Sequence, residues 1–547
     1  MTTTSTMTPS TISTAIISTS TASTTTTWRR WPAEYELHVG CILLFPKPSP
    51  QTAYCGVAGT VDVVPTTEPQ QPQQQPQQLL LLKNAQNAVL DVITAIVKEG
   101  HEDVYLFCDP LDVHHQTNVV SYLQERQLPF VVTFDKPSST MKMETDSTGC
   151  ITPIIHTTTS TTNAIAPSEN VVYVMLCPCE DTWARDTGPT FVLDVATSST
   201  LDDATTTRLI GLDWEFNAYG GPEDGCYWPC TLDEQIASRM IQAINEYHNS
   251  NSNRNWSSYS SKATPIHIQH ETIAALILEG GSIHTDGEGT ILTTKECLLH
   301  PNRNPNLTPA TIEAMVLHAT GCTKVIWLDH GLAYDGDTNG HIDNWACFVR
   351  PGHVVLAWTD DEEHDPINYQ HCRESLTTLQ NSTDAHNRSL TIHKLYLPSP
   401  PIQYKSPDVG ENVMSSIGTS TTKTPGAAPT TTDDTYDDTA TETLKDATTE
   451  CTTTVIRVPG TQMAASYVNF YIANDAVIVP QFGNPVYDPK AIEVLQSLFN
   501  SNDVDDGTAV PTTKKQRTVV GIHSSRHILY GGGNIHCITQ QIPQSIL

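Results

Sequence analysis

Three glycines lead into a His-Cys pair in GGGNIHCITQQ, residues 531–541, close to the end of the chain. Glycine alone takes positive φ without steric cost, so the run marks a sharp turn or a close backbone approach just ahead of Cys537. Taken locally, the favoured reading is a buried thiol behind a tight turn, because free cysteine is among the most buried residue types. A nucleophilic thiol would need a proton-transfer partner and groups that hold its substrate. Residues of those types stand in other glycine-flanked segments. NGHIDN (339–344) sets His341 and Asp343 two residues apart, which in an extended segment puts both on one side. WARDTGP (183–189) sets Asp186 near Trp183, a carboxylate and an aromatic face that suit a planar cation. Each also has a plain reading: a structural His341–Asp343 pair or two metal ligands, a core Trp183, an Asp186 paired with Arg185 or capping a turn. EGGSIHTDGEG (279–289) adds Glu279, His284, Asp286 and Glu288, types that bind metals, but without HExxH or a closed ligand spacing, so no metal is expected.

Other catalytic machinery is missing from the sequence. There is no G-x-S-x-G elbow, no G-x-x-x-x-G-K-[ST] loop and no G-x-G-x-x-G followed by a suitably placed acid. A Cys/His/Asp enzyme without cofactors remains.

The elements that would position these residues alternate. Val89, Val92, Ile93, Ile96 and Val97 keep helical spacing within Leu79–Gly100, with Gly100 as the stop. A second helix is expected through Val119, Val120 and Leu123. Short apolar runs at 104–108, 129–134, 171–176, 323–328, 353–358, 475–480 and 517–522 read as core strands, and 491–499 as an amphipathic helix. The pattern is α/β. The segments WARDTGP, EGGSIHTDGEG, NGHIDN, AASYVNFY (464–471) and GGGNIHC lie at or near strand ends, where ligand sites of α/β proteins gather.

Polar tracts interrupt this texture. A Thr/Ser-rich tail covers 1–27, and insertions are expected near 65–78, 137–168, 195–207, 248–264 and 405–453 of a single domain spanning 28–547. The net charge of -31, from 60 Asp+Glu against 29 Lys+Arg, excludes a nucleic-acid binder that works by phosphate neutralisation and suits a small cationic substrate. No run approaches the roughly 18 apolar residues of a membrane span, so a soluble protein is expected. The 14 cysteines are scattered without a CxxC…CxxC pattern, and reduced thiols are the default, with Cys177, Cys179, Cys226 and Cys230 structural. A cytoplasmic location follows, with an N-terminal transit segment as the weaker alternative, because residues 1–33 lack Asp and Glu but carry few Arg.

The ordered set WPAEYELH (31–38), WARDTGPTF (183–191), DWEFNAYGG (213–221), LEGGSIHTDGEGT (278–290), RNPNL (303–307), DTNGHIDN (337–344), AASYVNFY and GGGNIHCITQQ resembles agmatine deiminase, from about Trp31 to Pro543. The resemblance implies the pentein fold, a five-bladed pseudo-symmetric α/β propeller with a central site. It also implies hydrolysis of agmatine to N-carbamoylputrescine and ammonia, a step towards putrescine and polyamines, without a cofactor. Cys537 then aligns with the nucleophile, His341 with the general acid/base, and Asp186 and Asp343 with the carboxylates that grip the guanidinium. Trp183 lines the pocket, and Asp337 orients or charge-stabilises the imidazole. Glu279, Asn217, Gly533 and Asn534 shape the site. His536 is expected to alternate away from Cys537. Departures fall at Ile42, Phe45 and Tyr219, where the family commonly has Trp, and bear on substrate preference. The rival readings are a protein- or peptide-arginine deiminase and a non-catalytic guanidine-binding module. A homo-oligomer is left open.

Overall fold

Alternating runs of strand and helix assemble, among the described residues, into five mixed sheets built on one pattern, beside an antiparallel pair of Met143–Thr145 and Ile151–Pro153. The computed structural model describes residues 26–47, 74–110, 113–134, 143–145, 151–153, 160–161, 170–197, 206–251, 266–405, 460–500 and 516–545. The expected insertions therefore lie mostly outside the described residues, as does the tail apart from its last two residues.

In the first sheet, Thr190–Thr197 runs antiparallel to Thr206–Glu215, the helix Ile236–Asn251 crosses over, and Ile268–Ile277 returns parallel. The second repeats this with Ile283–Thr285, Thr290–Thr294, the helix Pro309–Thr320 and Lys324–Leu328. The third uses Ala346–Arg350, His353–Trp358, the helix Pro366–Gln380 and Thr391–Tyr396. The fourth uses Tyr471–Ile472, Ala476–Pro480, the helix Tyr487–Asn500 and Thr518–Ile522. In the fifth the strand from the end of the chain comes first: Gln540–Pro543 pairs antiparallel with His38–Leu44, the helix Gln74–Lys98 follows, and Asp103–Cys108 lies parallel, extended by Val172–Leu176. Thr26–Arg30 adds a further strand to the first sheet.

Local chemistry sets these elements. In Pro309–Thr320, Thr308 caps by accepting the Thr311 amide at 3.2 Å, Pro309 opens the first turn, and Gly321 closes it at φ +75°. The apolar stripe of Gln74–Lys98 buries Val89, Val92, Ile93, Ile96 and Val97, each worth roughly 1.5–3 kcal/mol relative to exposure. Its segment Leu80–Lys98 has mean hydropathy 1.3, long and apolar enough to cross a membrane by length and composition. That departs from the sequence expectation, but 61% of the segment is buried, against the strands Asp103–Cys108 and Ala476–Pro480 among others, as a core helix is. Val172–Leu176 is buried throughout at the middle of its sheet, which explains its unbroken apolar run.

Ile42 and Phe45 are fully buried in the core, so these departures sit in packing around the fifth sheet. The eleven described cysteines are free thiols, and all but Cys226 are buried.

Candidate active site

The repeated sheets give the site a common address: the turn entering each first strand. Asp186 precedes Thr190–Thr197, Glu279 and Gly281 precede Ile283–Thr285, and His341 and Asp343 precede Ala346–Arg350. Asn469 precedes Tyr471–Ile472, and Cys537 precedes Gln540–Pro543.

Two of the other turns converge on Gly281. A Cβ there would lie 2.7 Å from Asp186 Oδ1, 2.8 Å from His341 Nδ1 and 3.0 Å from Asp343 Oδ2, so only glycine leaves these groups their positions. The Gly281 amide donates to Asp186 Oδ1 at 2.9 Å, and the Tyr219 hydroxyl donates to Asp186 Oδ2 at 2.9 Å. Tyr219 thus adds a hydrogen bond to that carboxylate. His341 caps a short 3-10 turn, Ile342–Asn344, and Asp343 lies within it, so the segment is not extended, yet both still face the same glycine.

Cys537 closes the group from the fifth sheet. Its Sγ lies 3.5 Å from Asp343 Oδ2 and accepts the Asn469 side-chain amide at 3.1 Å. The Asn469 oxygen accepts the His536 amide at 2.9 Å, so Asn469 ties the cysteine turn to the fourth sheet. Asn469 lies in AASYVNFY, where its residue type alone suggests no role; its signal is the shared position ahead of a first strand.

The other expected residues divide. Glu279 faces the imidazole, with Oε2 3.4 Å from His341 Nε2, while Oε1 accepts Arg303 Nε at 3.0 Å. Asp337 is half-buried and its carbonyl accepts the Cys226 thiol, while Glu279 and Asp186 lie within 4 Å of His341. Asn217 stands one step back, donating to the Asn302 carbonyl at 2.8 Å beside Arg303. Asn534 is buried at the start of the cysteine turn, its carbonyl accepting the Ile538 amide at 3.3 Å.

The glycine run has two separate reasons. Gly532 takes φ +106°, and a Cβ on Gly533 would come within 2.5 Å of the Trp183 ring. Trp183 is held by its own Nε1, which donates to Asp181 Oδ2 at 3.0 Å. Gly533→Ala is therefore expected to overpack the indole and lower stability by about 1–3 kcal/mol, read as a reduced denaturation midpoint. An unchanged midpoint would mean that the ring yields freely.

His536 does not alternate away from the site. Residues 535–538 form a turn, with the Thr539 amide on the His536 carbonyl at 3.1 Å, and His536 Nδ1 reaches Asp343 Oδ2 at 2.9 Å. The period of two assumed for an extended strand fails in a turn.

Burial and like charge push Asp186 up to about 6: desolvation leads, His341 opposes it, and Asp343 and Glu279 add to it. Burial alone would lower His341, but Asp186, Cys297 and Glu279 hold it well above the usual imidazole value. Burial would also raise Glu279, yet Arg303 and His341 bring it to about 2. The Cys537 thiol is pushed well up by burial and by Asp343 and Asp186. His341 Nδ1 and Asp343 Oδ1 are buried without a hydrogen-bond partner in the structure. Two acidic groups, one of them with an unmet carboxylate oxygen at Asp343 Oδ1, fit a planar cation with several N–H donors, beside a thiol and an imidazolium. Among the described residues, Glu279, Cys297 and His341, and separately Glu34, His284 and His536, are grouped closely enough to hold a metal ion.

The sequence profile of the Porphyromonas-type peptidyl-arginine deiminase family matches residues 30–543. An agmatine deiminase from Medicago truncatula is 40% identical over 68% of this chain and 78% of its own length. One from Stutzerimonas stutzeri is 36% identical over 66% of this chain and 75% of its own. Among solved structures, the agmatine deiminase of Enterococcus faecalis superimposes with TM-score 0.59 at 25% identity, covering 95% of this chain and 96% of that one.

Proposed function

Because the chain belongs to the Porphyromonas-type peptidyl-arginine deiminase family and is similar to curated agmatine deiminases over two thirds of its length, we propose that it hydrolyses agmatine to N-carbamoylputrescine and ammonia. It acts as a hydrolase on the C–N bond of a linear amidine, a reaction that feeds polyamine synthesis. The observation that carries the reading is the ring of Asp186, His341 and Asp343 around Gly281, with Cys537 against Asp343. The five similarly built sheets, whose entering turns supply these residues, support a five-bladed arrangement about the site.

Asp186 and Asp343 take the guanidinium N–H groups, fixing its carbon near the sulfur and compensating its charge. The seated cation offsets the two carboxylates that push the Cys537 thiol up, so the thiol gives its proton to solvent and the thiolate forms. The thiolate attacks the guanidinium carbon, and protonated His341 gives its proton to the departing ammonia, leaving an amidino-cysteine. His341, now neutral, takes a proton from the water that attacks this carbon. Cys537 leaves as the thiol, taking the remaining hydroxyl proton of the adduct, and N-carbamoylputrescine is released. Glu279, itself anchored by Arg303, orients the imidazole throughout. Trp183 walls the pocket.

Asp186 must be ionised to grip a cation. Its raised pKa, about 6, predicts that kcat/KM falls along a one-proton limb as pH drops through 6, while Asp343, held low, stays ionised. A profile flat down to pH 5 would contradict this. The substrate is tested by comparing kcat/KM for agmatine, free arginine and an arginine peptide. Agmatine is expected to be favoured strongly. Preference for the peptide would transfer the reading to a peptidyl-arginine deiminase, and release from none of them would leave a guanidine-binding module.

A further inference from the structure

The two ends of the described chain meet beside the site, joined by a histidine held between two carboxylates. Pairing of His38–Leu44 with Gln540–Pro543 brings Glu34, four residues ahead of the first strand, to His536, four ahead of the second. His536 Nε2 lies 2.9 and 3.0 Å from the two Glu34 oxygens, and its Nδ1 lies 2.9 Å from Asp343 Oδ2. The three side chains are 8%, 4% and 1% exposed for Glu34, His536 and Asp343. An ionised carboxylate only accepts, so a ring with one at each nitrogen satisfies both as the doubly protonated imidazolium.

We propose that Glu34 and His536 are positioning residues for the deimination: Glu34 holds His536 as an imidazolium, which holds Asp343 ionised and leaves its Oδ1 for the substrate's guanidinium. The inference rests on the agmatine reading above. Asp343 Oδ1 is the carboxylate oxygen without a partner, as this requires.

The surrounding groups are arranged to sustain that charge. Arg185 Nη1 donates to Glu34 Oε1 at 3.0 Å, and His284 Nε2 stands 3.5 Å from Glu34 Oε2. The Phe348 amide donates to His284 Nδ1 at 3.3 Å, which leaves the His284 proton on Nε2, facing Glu34. Cys347, His341, Asp186 and Cys537 are the other titratable groups against this chain of contacts. Burial and Arg185 act to lower His536, but Glu34 and Asp343 leave it raised; burial acts to raise Asp343, but His536 leaves it lowered.

Glu34→Gln keeps the shape of the contact and removes its charge, and His536→Asn keeps a donor for Asp343 without the charge. With the purified protein and agmatine, each variant is expected to raise KM at pH 7 by about tenfold, one pKa unit of lost cation binding. The acid limb of kcat/KM should steepen from one proton towards two and move to higher pH, as Asp343 begins to titrate with Asp186. Glu34→Asp should restore part of both effects, which a merely structural role would not produce. Neutron diffraction of the wild-type protein near pH 7.5 should find deuterons on both ring nitrogens of His536, whether or not the variants fold. A one-proton limb with KM unchanged in both variants, or a single deuteron on that ring, would overturn the proposal. Failure of the wild type to turn over agmatine would count against the proposed reaction instead, and the deuteron count would still decide His536.

Discussion

Cys537→Ser should stop turnover of agmatine, lowering kcat by about four orders of magnitude or more, while agmatine still binds. Serine is only slightly smaller, and its hydroxyl can accept from the Asn469 amide that now donates to the sulfur at 3.1 Å. What it loses is a readily ionised nucleophile. Binding survives because Asp186 and Asp343, which hold the cation, are untouched. The expected pattern is a collapsed kcat with a calorimetric Kd for agmatine within a few-fold of the wild-type KM. Activity within tenfold of wild type would remove Cys537 from the chemistry.

His341→Asn should cost about two to four orders of magnitude in kcat, the usual worth of a general acid/base. The same ring protonates the leaving ammonia and activates the water, so both half-reactions slow together. Its effect on KM should run the other way. In the free site His341 is held protonated beside Asp186 and Glu279, and removing that positive charge takes a like charge away from the incoming guanidinium. A KM that stays level or falls with a collapsed kcat marks an acid/base; a KM that rises with kcat intact would make His341 a binding residue.

Much of the fold was legible because burial imposes period. VYLFC and VVYVML read as strands since they lie inside a sheet covered on both faces, where every position is apolar. Ile268–Ile277 was not legible: it is the last strand of its sheet, much of it exposed, and its polar and apolar residues follow no strand alternation. The helix Ile236–Asn251 went unread although Ile236, Met240, Ile241, Ile244 and Tyr247 keep helical spacing and are buried.

Of the candidate site, the sequence marks by residue type Asp186, Glu279, His341, Asp343 and Cys537, which the structure brings together. Residues whose importance lies in contact across the chain were not. Gly281 looks like any motif glycine until three side chains are seen to need its bare Cα. Glu34 and His536 are 502 residues apart in sequence, and only the closing strand pair brings them together. Asp337, favoured by its spacing from His341, gives way to Glu279, which reaches the ring from another sheet.

The most direct test is mass spectrometry of the wild-type protein quenched in acid during steady-state turnover of agmatine. Cys537 should carry an added mass of agmatine less ammonia, present only while substrate remains and absent in Cys537→Ser. Turnover with Cys537 unmodified throughout, or an adduct on a different residue, would contradict the covalent deimination proposed for this site.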